Sequence, residues 1–178
     1  MASTNTLTNK TRIAFLIFFA SHIPATICID LQALFGQYYP IPLQNLLTWY
    51  TNTIEDDVMR APHETWLVSF VTAEVIFQLP FFVLAVHILK SEQSVQTFQK
   101  SGAGKGWFRS LCFIYGTHTA TTLIPILAYL ILENDKASIL QKFMVVMIYL
   151  PYLLFPAWLV FIAFVSDDVL LESRLKSM

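Results

Sequence analysis

Charge is scarce in this chain. Only 13% of its 178 residues are Asp, Glu, Lys or Arg, about half the share found in a soluble domain. Eleven basic against twelve acidic residues leave a net charge of −1, so no basic field exists to hold a nucleic acid. Cysteine is rarer still. Cys28 and Cys112 sit inside apolar runs without CxxC or Cys/His spacing, which leaves no disulfide framework, no zinc site and no cofactor to expect. Hydrolase signatures are missing too: there is no GxSxG and no HExxH, and His63-Glu64 lacks a second histidine four residues on. The five glycines include one cluster, Gly102-Ala103-Gly104-Lys105-Gly106, but no strand precedes it and its spacing is not that of a phosphate-binding loop. The 91–106 stretch therefore reads as a linker. Together these absences put binding ahead of hydrolysis.

What the chain has in quantity is apolar area. Hydrophobic residues make up 56% and aromatics 15%, and a mean hydropathy of +0.58 points to the bilayer as solvent. Four apolar runs, 13–34, 66–89, 107–132 and 143–165, are each long enough to span it as a helix. The first is too long for a signal peptide, and His22, Pro24 and Asp30 interrupt it. The expected fold is an all-α membrane protein of four transmembrane helices in a kinked bundle with an internal ligand pocket. A leader at 1–11 precedes a domain at 12–166, and a tail at 167–178 follows. Eight Lys and Arg flank the spans on the side of the termini, against Arg60, Lys136 and Lys142 on the other, which places both termini in the cytosol. The 36–62 segment is rich in Leu, Tyr and Trp and is expected to pack as short helices across the far mouth of the bundle.

The informative residues are polar groups inside the spans, because each costs a few kcal/mol there unless paired or facing a cavity. His22, Asp30, Glu74 and His118 stand out, with Gln78 at i+4 from Glu74 on one helix face. Asp30 lies about 27 Å along its helix from Arg12, close to the far edge, and Glu74 about 12 Å in from Trp66. Tilt and a kink near Pro24 would let the two carboxyls meet. Side by side they cannot both ionise cheaply, so one keeps its proton while the other stays anionic. Such a pair suits a ligand amine or a single hydroxyl such as that of a sterol. The plainer alternative is interhelical glue, but two carboxyls without Lys or Arg are poor glue.

Prolines 24, 80, 125, 151 and 156 place one or two in or near every span, and each removes a backbone hydrogen bond and bends its helix, leaving space between helices. Thr119, Thr121 and Thr122 satisfy freed carbonyls or face that space. Tyr115, Tyr149 and Tyr152 bring aromatic area suited to a flat ligand or to a cation over a ring.

A set of motifs narrows this further. Ser21-His22-Ile23-Pro24 through Asp30-Leu31-Gln32-Ala33 comes first, then Asn45-Leu46-Leu47 with Trp49-Tyr50. Glu74 and Phe77-Gln78-Leu79-Pro80-Phe81-Phe82 follow, then His118-Thr119 with Thr121-Thr122-Leu123-Ile124-Pro125, and last Pro151-Tyr152-Leu153-Leu154. In order and spacing this series resembles the sigma-2 receptor branch of the EXPERA superfamily. The resemblance implies an endoplasmic reticulum membrane protein, also placed at the nuclear envelope and endolysosomal membranes, whose occluded pocket takes sterols and cationic amphiphilic amines. Asp30 would pair the amine and Glu74 would be its protonated partner. Gln78, His22, Thr122, Tyr115 and Tyr152 would line the pocket, with Asp56 and His118 supporting it. It also implies a role in cholesterol homeostasis, homodimers, and contact with the Niemann-Pick C cholesterol transporter. The chain departs from the animal pattern in a longer loop between the second and third helices and in a C-terminus without clustered lysines. Two alternatives stay open. One is a sterol double-bond isomerase like the emopamil-binding protein, with Glu74 as acid and Asp30 as base; the other is a factor handling mitochondrial precursors at the reticulum surface.

Overall fold

The computed structural model describes residues 9–90 and 104–175, and among them every regular element is helical. Residues 1–8 of the expected leader, most of the expected linker at 91–106 and the last three residues lie outside the described residues, and residues 9–11 of the leader belong to the first helix. α1 (Asn9–Ala25) runs into a π-helical turn (Thr26–Asp30), α2 (Gln32–Phe35) and a 3₁₀ turn (Gly36–Tyr38). α3 (Ile41–Ile54) crosses outside the spans. α4 (Thr65–Ala73), a second π turn (Glu74–Gln78) and α5 (Leu79–Leu89) form one continuous rod. α6 (Gly104–Leu132) and α7 (Ile139–Leu175) complete the set.

Four segments are long and apolar enough to cross a bilayer: Asn9–Tyr38, Thr65–Leu89, Trp107–Leu132 and Ile139–Phe164. The protein is an all-α membrane bundle. The fourth segment starts four residues before the expected 143 because Ser138 and Gln141 form a capping box. The Ser138 hydroxyl accepts from the Gln141 backbone N–H at 3.3 Å, and the Gln141 side-chain Oε1 accepts from the Ser138 backbone N–H at 3.0 Å. The prolines act unevenly. Pro125, Pro151 and Pro156 sit inside uninterrupted helices, whereas both π turns lie beside prolines, one after Pro24 and one before Pro80.

Two apolar layers stack along the bundle. One, toward the end that carries Asn9 and Leu89, packs Phe15, Phe18 and Phe19 of α1 against Phe81, Phe82 and Ala85 of α5, with Tyr115 of α6 and Leu159 of α7. Arg12 ties this end by donating to the Leu89 carbonyl at 2.7 Å. The other layer joins Leu67 and Val71 of α4 to Leu123, Ile126 and Leu130 of α6 and Val145 of α7. Val58 and Met59, which follow α3, plug into this second layer. The 36–62 segment therefore caps one end of the bundle, as its composition suggests.

Asp56 holds the cap down. It is fully buried, and its Oδ2 accepts from the Tyr50 hydroxyl of α3 and the Tyr149 hydroxyl of α7, each at 2.8 Å. Its Oδ1 accepts from the Met59 N–H at 3.2 Å. Glu55 ends α3 in the left-handed region, with φ 57°, and its carbonyl accepts from the Asn134 amide between α6 and α7 at 2.6 Å. Burial pushes the Asp56 carboxyl up, while the two phenols and the backbone donor pull it back down.

α6 and α7 touch closely at Gly116, where a Cβ would lie 2.6 Å from Val160 Cγ2 and 2.7 Å from the Pro156 carbonyl oxygen. Gly116→Ala forces the backbones apart and should cost about 1–3 kcal/mol, read as a fall of several degrees in thermal midpoint in detergent. Gly36→Ala, whose Cβ meets nothing within 4 Å, should leave the midpoint unchanged. Asp56 generates a pH-dependent expectation. Because its carboxyl is raised in the fold, the folded state binds that proton more tightly than the unfolded chain, so the associated stability is present at low pH and is lost as pH rises through the folded value. Asp56→Asn should therefore gain in midpoint relative to wild type as pH rises above about 4, and Tyr149→Phe, which removes a donor to the anion, should lose relative to wild type over the same rise.

Candidate functional site

Between the two apolar layers lies a polar one. His22 from the last turn of α1, Asp30 from the end of the first π turn and Glu74 from the start of the second converge. One ligating atom from each falls within 4.8 Å of the others. The carboxyls meet because both helices depart from α geometry where they carry them. A π turn spends an extra residue, which rotates everything beyond it by about 100° relative to an α-helix. The sequence leads one to expect a proline kink there, and the register change does the same work.

Thr26, fully buried, donates its hydroxyl to Glu74 Oε1 at 2.6 Å. His22 is 6% exposed, with Nε2 3.8 Å from the same Oε1 and Nδ1 without a partner. Among the described residues, no Lys or Arg forms an ion pair with Asp30 or Glu74. The surrounding wall is aromatic. The His22 ring stacks on Phe82 at 4.4 Å and meets Tyr152 at 4.6 Å and Phe18 at 5.4 Å. Tyr152 packs against both apolar layers and so spans the polar layer between them.

The remaining expected residues divide. Gln78 is buried and accepts the Thr119 hydroxyl at 3.0 Å, a second polar link one step along the helices. Thr122 lies one turn from that link but donates to its own helix, to the His118 and Thr119 carbonyls at 3.0 and 3.2 Å. Tyr115 is 4% exposed and stacks on Phe81 at 4.6 Å, its hydroxyl buried without a partner. His118 Nε2 is likewise buried and unpartnered. Asp56 stands apart as the brace of the cap, and Tyr149 serves that brace rather than a ligand wall. A cavity of about 380 Å³ opens at the capped end, and none of the expected site residues lines it.

Three contributors escaped the sequence reading. Thr26 sits midway between His22 and Asp30 at four-residue spacing, a helical stripe that signals a shared face. Thr119 is the threonine that reaches across to Gln78, which the grouping of Thr119, Thr121 and Thr122 in the sequence leaves undecided. Gln32, 5% exposed, donates to the Cys28 carbonyl in the π turn at 2.7 Å and to the Leu43 carbonyl of α3 at 3.1 Å, and only the fold reveals that double role.

Comparison with known proteins agrees with this architecture. The chain is 38% identical over 151 residues to the sigma intracellular receptor 2 of Homo sapiens, covering 79% of each. It is 35% identical over 170 residues to that of Xenopus tropicalis, covering 91% of this chain and 92% of the relative. It is also 29% identical over 157 residues to the efficient mitochondria targeting-associated protein 19 of Saccharomyces cerevisiae, covering 83% and 94%. The profile of EXPERA, the expanded EBP superfamily, matches residues 42–163, from α3 through the fourth span. With four apolar spans, a capped bundle and sigma receptor relatives aligned over most of its length, the chain belongs to the EXPERA family.

Proposed function

We propose that this chain is an intracellular membrane receptor that recognises cationic amphiphilic amines and sterols through Asp30 and Glu74. The observation that carries this reading is the carboxyl pair itself, held within 4.8 Å inside a bundle of spans with no Lys or Arg pairing it among the described residues. In a low-dielectric layer two carboxyls without a counter-charge are costly. A ligand ammonium supplies the missing charge, and the faces of Tyr152, Phe82 and Phe18 favour a cation next to it. A sterol hydroxyl satisfies the same pair by donating to one carboxylate and accepting from a protonated partner. His22, Gln78, Tyr115 and Thr122 complete the proposed lining, and their unpartnered or neutral groups suit the uncharged remainder of such ligands.

The wider proposal is that the chain acts in cholesterol homeostasis at the endoplasmic reticulum, with further placement at the nuclear envelope and endolysosomal membranes. In it both termini are cytosolic, the chain forms homodimers, and it works with the Niemann-Pick C cholesterol transporter. It is not an enzyme in this reading, in keeping with relatives that are named receptors. A second reading, handling of mitochondrial precursors at the reticulum surface, is favoured by the yeast relative's name and would show as slowed import of a reporter precursor on deletion.

Equilibrium binding of a hydrophobic tertiary amine and of cholesterol to the purified protein tests the first reading. Asp30→Asn should weaken the amine by roughly 30-fold or more, the loss of at least about 2 kcal/mol expected when one member of a buried charge pair is neutralised. Cholesterol, which brings no charge, should lose less. Unchanged amine affinity in a folded Asp30→Asn protein would make the carboxyls structural. Conversion of a sterol with a shifted ring double bond by wild type, lost in Glu74→Gln, would replace the receptor reading with the isomerase one.

A further inference from the structure

The cavity at the capped end lies apart from the carboxyl pair, neither member of which lines it. It measures about 380 Å³, toward the lower end of the roughly 300–1,000 Å³ usual for small-molecule sites. One wall is a single face of α3, where Gln44, Thr48, Thr51 and Asn52 recur at helical spacing. The end of the first span supplies Gln32, Gly36 and Gln37, and the chain running into α4 supplies Met59 through Ala61 with His63.

The chemistry of this lining differs from that of the buried pair. No carboxylate lines the cavity. Its one fixed cation, Arg60, is already neutralised, with Nη1 on Asp57 at 2.6 Å and Nη2 on Glu55 at 2.7 Å. An amine finds no partner there and an anion finds no uncompensated charge. Beside the apolar Leu47, Met59 and Ala61, what remains are side-chain amides and hydroxyls; Gln32, Gln44, Thr48 and Thr51 already donate to backbone carbonyls, which leaves their oxygens to accept from ligand hydroxyl groups.

The position identifies the source. Gln32 and Gln37 end the first span, and His63 lies two residues before the second begins, which puts the cavity at the depth of lipid headgroups. α3 itself exposes Leu46 at 45% and Trp49 at 63%, with Tyr38 at 77% beside it, an apolar and aromatic surface suited to that interface. We propose that the chamber between α3, the end of the first span and residues 59–63 binds a neutral polyol headgroup, the sugar of a glycolipid.

Gly36 provides a clean test. It lines the cavity, and a Cβ placed on it meets nothing within 4 Å, so Gly36→Leu is the substitution chosen to occupy the chamber. Wild type and Gly36→Leu are reconstituted in phosphatidylcholine discs with and without glucosylceramide, and methyl glucoside is titrated into glycolipid-free discs. Thermal midpoint and saturation-transfer NMR on the sugar protons are the readouts. Glucosylceramide should raise the wild-type midpoint and show transfer to its sugar, and Gly36→Leu should weaken this by about tenfold or more in apparent affinity while keeping amine binding. Asp30→Asn should lose the amine and keep the glycolipid effect, so the two sites fail independently. Methyl glucoside binding as tightly as the glycolipid would overturn the lipid source. No glycolipid effect, or an effect that survives in Gly36→Leu, would overturn the site.

Discussion

A polar group within a bilayer has only the protein to satisfy it, and most of this molecule's departures from plain helical packing answer that constraint. Glu74 takes the Thr26 hydroxyl, Gln78 takes the Thr119 hydroxyl, and Thr122 returns its proton to its own backbone. Gln32 spends its amide on a carbonyl of the π turn and on a carbonyl of α3. Against that economy, two carboxyls, the His22 Nδ1 and His118 Nε2 nitrogens and the Tyr115 hydroxyl are left without full compensation. Uncompensated groups of opposite preference to their surroundings mark where something other than the protein belongs.

The π turns link this chemistry to the backbone. Each carries one of the carboxyls, Asp30 at the end of the first and Glu74 at the start of the second. Proline next to both turns explains their location: Pro24 and Pro80 remove N–H donors from the α-helical pattern, and the chain absorbs the loss as a wider turn. The cap works in a different medium. There Asp56 takes two phenols and a backbone N–H, and Arg60 takes two carboxylates. Gln44, Thr48, Thr51 and Asn52 of α3 line a cavity there.

The spans were legible because hydropathy over some twenty residues depends on composition alone. The cap was legible from the contrast between its length and its apolar content. His22, Asp30 and Glu74 were legible because charge in a span is costly wherever the partner lies. The division of labour among the threonines and tyrosines was not. Whether Thr119 or Thr122 reaches across to Gln78, and whether Tyr149 faces a ligand or Asp56, turns on helix rotation, which a π turn or a bend resets by most of a residue. The start of α7 at Ile139 was legible after all, in Ser138 and Gln141, a local signal that hydropathy overshadowed.

By itself the sequence determined that the chain lives in a membrane, that it crosses four times, and that two carboxyls inside it need a partner. Each of these follows from transfer free energies, which are additive along the chain and indifferent to fold. Only the tertiary structure decided that Asp30 and Glu74 meet, that Asp56 pins the cap to α7, and that a charge-balanced cavity opens beneath α3. Those are matters of angle and register between segments far apart in the chain, where a single extra residue in a turn changes which side chains face each other.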